Sequence, residues 1–68
     1  MPVITITMGE GQITLEQKKE LIESFTESAA EITRIPPQAF TILIHELASD
    51  SIGVGGKTLT EFRTAMTD

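Results

Sequence analysis

Residues 39–47 read AFTILIHEL, and the conformation of this stretch decides the fold. Phe40, Ile42 and Ile44 fall on one side at period two, and Thr41, Leu43 and His45 on the other, which is the pattern of a β-strand. The run is apolar almost throughout, as in strands covered on both faces. Just upstream, RIPPQ at 34–38 marks a break, because Pro36 disfavours helical geometry at Ile35.

What ends there is a helix over residues 14–34. Thr14 and Gln17 have the spacing of a capping box, in which the hydroxyl caps the third helical amide and the Gln17 side chain reaches back. Leu15, Ile22, Phe25, Ala29 and Ile32 recur at three-, four- and seven-residue intervals, which lays them along one stripe. Glu16, Lys19, Glu20, Glu23, Glu27 and Glu31 lie mainly opposite, as a solvated face. Further upstream, residues 2–8 alternate again. Ile4, Ile6 and Met8 share one face and Val3, Thr5 and Thr7 the other. Pro2 has no amide hydrogen within a chain and suits the opening position of a strand. GEGQ at 9–12 then stops the pattern with two glycines. Strand, helix and strand make a β-α-β unit of the α+β class, with parallel strands and a right-handed crossover. Gly53, Gly55 and Gly56 predict a C-terminal glycine turn or short hairpin, and Leu59–Met66 a last helical turn or two.

Two strands and one helix do not bury enough. At 68 residues, a chain removes only about 60% of its unfolded surface from water. Cysteine is absent, which excludes disulfides and thiolate metal sites. Self-association is the expected source of the missing burial. The helix covers one sheet face, while the other, carrying Val3, Thr5, Leu43 and Leu47, stays open along with the strand edges. Chains are therefore expected to pair edge to edge into a larger sheet, and the sheets to pack face to face.

The formal charge of −5 argues against nucleic acid, whose binding rests on Lys and Arg neutralising phosphates, and against anionic membranes. No apolar run approaches the roughly 20 residues of a spanning helix, and the opening residues lack the basic and apolar regions of a signal peptide. A cytoplasmic location is expected. SIGVGGKT at 51–58 imitates a phosphate loop, but Ser51 stands where the pattern needs glycine and no long helix follows. His45 and Glu46 point to opposite faces of one strand and cannot chelate together, so no metal site is expected.

The order of these pieces carries a resemblance. MP at 1–2 opens a short alternating strand, EG stands at 10–11, and the capped helix contains EQKKELIE at 16–23. A proline, TILIHE at 41–46 and GVGGK at 53–57 follow. From Pro2 through Gly56 the chain resembles the 4-oxalocrotonate tautomerase family of the tautomerase superfamily, and the last two stretches look most like its DmpI-like variants. The resemblance implies one tautomerase-like domain over residues 1–68 and dimers sharing a four-stranded sheet. It also implies a homohexamer built as a trimer of dimers, no cofactor, and a small 2-oxo acid or its enol as the partner molecule. It implies Pro2 as the general base, freed by removal of Met1. An α-amino group titrates near 8, a secondary amine is expected higher, and an apolar pocket brings it down towards neutrality. Such a base can move a proton between the carbon beside a carbonyl and another position.

The departures concern substrate binding. Family members acting on 2-hydroxymuconate carry arginine after EG and again in the second strand; here those positions are Gln12 and Thr41. The aromatic residue usual before the glycine turn is Ile52. Gln12, Thr41, Ile52 and His45 are the candidate substrate-binding residues, all uncharged or weakly basic. Arg34, Lys57, Arg63 or His45, from the same or a neighbouring chain, are the available sources of positive charge. Two other readings are open: a catalytically silent oligomer with a binding or structural role, and amine chemistry in which the proline nitrogen attacks an aldehyde.

Overall fold

The computed structural model describes residues 1–66. Strand β1 (Val3–Gly9) leads through a loop to helix α1 (Leu15–Thr33), a 3₁₀ turn (Pro37–Ala39) and strand β2 (Thr41–Leu47). A second 3₁₀ turn (Ser49–Ser51), a minimal hairpin of β3 (Gly53–Val54) and β4 (Lys57–Thr58), and helix α2 (Leu59–Met66) complete the chain. β1 and β2 pair in parallel, Val3 opposite Thr41 through Gly9 opposite Leu47. The strand–helix–strand order, the parallel pairing and the C-terminal hairpin are those the sequence predicts.

Local chemistry fixes the ends of α1. The Thr14 hydroxyl accepts from the Gln17 N–H at 3.1 Å, and the Gln17 side chain accepts from the Thr14 N–H at 2.9 Å, which is the predicted capping box. At the other end Arg34 turns left-handed at φ 64°, its N–H donating to the Ala30 carbonyl. Pro36 and Pro37 then prevent the helix from resuming. The second strand starts two residues later than its apolar run, because Ala39 closes the 3₁₀ turn that Pro37 opens.

The covered face of α1 differs from the predicted stripe. Phe25 and Ala29 are half-buried, in company with Lys18, Leu21, Thr26 and Ala30. Leu15 and Ile32 are 80% and 81% exposed. Length explains it: a helix of 19 residues spans about 28 Å, whereas a seven-residue strand spans about 23 Å. The first and last turns overhang the sheet.

The glycine turn also has a specific geometry. Gly53 pairs with Thr58 and Val54 with Lys57, leaving Gly55 and Gly56 as a two-residue loop with φ of 60° and 87°. Positive φ at both central positions defines a type I′ turn, the one that matches strand twist. These glycines supply the positive φ that the turn requires. Thr58 then caps α2, its hydroxyl accepting from the Glu61 N–H at 3.1 Å while the Glu61 carboxylate accepts from the Thr58 N–H at 3.1 Å. Thr60 donates to Asp50 at 2.7 Å, tying α2 to the preceding 3₁₀ turn. The result is an arm beyond the β-α-β unit, and the molecule measures 49 × 24 × 15 Å.

No hydrophobic side chain among the described residues is fully buried. Val3, Leu43 and Leu47, on the sheet face away from α1, are 48%, 42% and 37% exposed. No described helix is long and apolar enough to cross a membrane.

Candidate active site

Two groups of candidate residues stand at opposite ends of β1. At the first end Pro2 is half-buried just outside the strand. Its carbonyl accepts from the Thr41 N–H at 3.0 Å, which extends the parallel ladder by one bond and holds the proline beside the start of β2. Pro2 and Thr41 are therefore brought together. Met1 projects away at 90% exposure.

At the other end the strand finishes at Gly9, the one buried residue among those described. The space a side chain would occupy there is taken by Gln12, whose Nε2 lies 3.2 Å from where a β-carbon would stand. Arg63 reaches the same point from α2, its Nη2 at 3.9 Å. The loop returns because Gly11 adopts φ 77°, and the Glu10 N–H donates to the Leu47 carbonyl at 2.8 Å. Of the four cationic or basic candidates, Arg63 is the one found beside Gln12.

The remaining candidates are His45 and Ile52. His45 is exposed on the open sheet face, opposite Thr7. Ile52 is half-buried at the root of the hairpin, its carbonyl accepting from the Leu59 N–H at 2.7 Å. Pro2 and Gly9 are separated by seven residues of extended chain, about 23 Å. One chain thus cannot place Pro2 and Gln12 on a single small molecule. The apolar hollow of about 660 Å³ along α1, lined by Leu15, Lys18, Lys19, Ile22, Glu23 and Ile44, touches none of the candidates.

An ion pair that the sequence reading does not anticipate lies under the helix. Lys18 Nζ meets Glu46 Oε2 at 2.7 Å, with the two side chains 32% and 26% exposed. The signal was present: Glu46 shares strand parity with Phe40, Ile42 and Ile44, so it must face α1.

With this geometry in view, comparison with known proteins assigns the family. The family model described as tautomerase enzyme matches residues 2–61. A 2-hydroxymuconate tautomerase of Bacillus subtilis is 38% identical over 61 residues, covering 90% of this chain and 97% of that protein. Among solved structures, TomN, a 4-oxalocrotonate tautomerase homologue of the tomaymycin biosynthetic pathway, superposes with a TM-score of 0.87 at 27% identity, covering 97% of this chain and all of TomN. DmpI from Archaeoglobus fulgidus is 37% identical with a TM-score of 0.74, over 87% of this chain and 98% of its own. A β-α-β chain with a type I′ hairpin, a second-position proline at the strand mouth and these relatives belongs to the tautomerase family, as a 4-oxalocrotonate tautomerase homologue.

Proposed function

We propose that this chain acts as a homo-oligomeric tautomerase on a small enolisable 2-oxo acid, with Pro2 as the general base once Met1 has been removed. The observation that carries the reading is the setting of Pro2. Its ring is anchored through its carbonyl to Thr41, while Met1 is 90% exposed and leaves no void when cleaved. Removal of Met1 converts an amide nitrogen, whose lone pair is delocalised, into a secondary amine that takes a proton. That amine accepts a proton from the enol and returns one to carbon, so the substrate changes isomer and nothing else is consumed.

Oligomer formation supplies the rest of the site. A compact chain of this length has a radius of gyration of about 11 Å, against 15.8 Å here. It would expose about 4,200 Å², against 5206 Å² here. The excess of about 1,000 Å² is what one partner gives to a standard interface. Paired chains that cover the open face bring Pro2 of one copy towards residues of another. Dimers sharing a four-stranded sheet, assembled as a trimer of dimers, fit the uncovered edges and faces.

The decisive experiment uses trimmed protein whose mass shows loss of Met1. Pro2→Ala is expected to lower turnover of the enol of phenylpyruvate by roughly 10²–10⁴-fold, with an unchanged sedimentation coefficient. A variant as fast as the wild type refutes Pro2 as the base. A second reading, a catalytically silent oligomer with a binding role, is favoured by the neutral side chains Gln12 and Thr41. It predicts that trimmed wild type and Pro2→Ala do not differ on any enol tested.

A further inference from the structure

We propose that Arg63 of α2, together with Gln12, forms the carboxylate receptor of this site, and that it selects substrates bearing a single carboxylate. The proposal rests on the reading of Pro2 as base only for where the receptor's ligand reacts. The receptor itself stands on the convergence over Gly9. The Gln12 amide and the Arg63 guanidinium reach one point from two elements far apart in sequence, the loop after β1 and the C-terminal helix. Gly9 permits it, because any side chain there would occupy that space.

Three other cations are differently employed or placed. Lys18 is held by Glu46 at 2.7 Å, and Arg34 closes α1 in a left-handed conformation. Lys57 lies in the hairpin strand β4. Arg63 makes no ion pair or hydrogen bond among the described residues, so its N–H donors are available. A guanidinium offers a planar fork that matches both oxygens of a carboxylate, and the neighbouring amide N–H adds a neutral donor that suits the adjacent oxo or enol oxygen. One fixed charge matches one carboxylate. Because Gly9 and Pro2 of one chain are about 23 Å apart, this receptor presents its ligand to Pro2 of a neighbouring copy.

The test uses the trimmed full-length oligomer with the enol of phenylpyruvate and its methyl ester. Arg63→Gln is expected to raise KM for the acid by about tenfold to a hundredfold, the loss of a hydrogen bond to a charged group. It should change kcat much less and abolish the preference for acid over ester, and Arg63→Lys should recover part of the loss. Separately, phenylpyruvate should shift the ¹⁵N–¹H signals of Gly9 and the Arg63 side chain in Pro2→Ala protein, and the Gly9 shift should vanish in Arg63→Gln. Gly9→Ala, which displaces the Gln12 amide without altering α2, should weaken the acid in the same direction. Pro2-dependent turnover that ignores Arg63 overturns the receptor and leaves the base intact. Arg63-dependent binding without proton transfer supports the receptor and removes the base. An absence of any shift at Gly9 in wild type overturns the receptor.

Discussion

Removing one half of the Lys18–Glu46 pair should cost more than removing both. The side chains meet at 2.7 Å and are 32% and 26% exposed, between a solvent-exposed pair, worth about 0.2–1 kcal/mol, and a hydrogen bond to a charged group, worth about 1.5–3 kcal/mol. A coupling of about 1–2 kcal/mol follows for this intermediate setting. Lys18→Met leaves the Glu46 carboxylate facing α1 without its cation and should destabilise by about 2 kcal/mol. Lys18→Met with Glu46→Leu puts two apolar side chains beside Ile44 and should lie within about 1 kcal/mol of the wild type. Urea unfolding of the four members of the cycle, at one protein concentration because assembly contributes to stability, measures the coupling. Because the contact is direct, raising the salt should reduce it only modestly. A double variant that loses the sum of the two single losses would refute the reasoning.

Leu43→Asp places a charge on the open sheet face and should yield smaller, less stable species by analytical ultracentrifugation; an unchanged assembly would show that this face is not an interface. Arg34→Gly relieves a left-handed conformation at the end of α1 and should stabilise by about 0.5–1 kcal/mol, read as a higher urea midpoint. A lower midpoint would mean that the arginine makes a contact in the assembly worth more than that strain. With neutral Gln12 and Thr41 and one receptor cation, turnover of the doubly charged 2-hydroxymuconate should fall at least about tenfold below that of an arginine-bearing relative. Parity in a side-by-side spectrophotometric assay would contradict the single-carboxylate preference.

Much of the fold was legible because it is written in local patterns. Alternation in 2–8 and 39–47, the Thr14–Gln17 box and the Pro36 break each act over a few residues, and the helix and strands follow within two residues. What was illegible depends on lengths and distant neighbours. The stripe of α1 departs from its periodicity at Leu15 and Ile32 because their exposure depends on how far the strands run beneath them. The Thr58–Glu61 cap of α2 has a local signature, TLTE at 58–61. Among the candidate residues, the second-position proline and the neutral Gln12 can be nominated from sequence alone. The meeting of Gln12 with Arg63 could not, since 50 intervening residues, a hairpin and a helix must fold before the guanidinium arrives over Gly9.

The separation of Pro2 from the Gly9 end has a genetic counterpart. If every reaction centre borrows its base from one polypeptide and its anion clamp from another, two individually impaired alleles need not be impaired together. Hybrids refolded from Pro2→Ala and Arg63→Gln chains would contain some centres that inherit both sound halves. At a low concentration of the acid, activity in the mixture above that of either parent would be intragenic complementation written into a strand seven residues long.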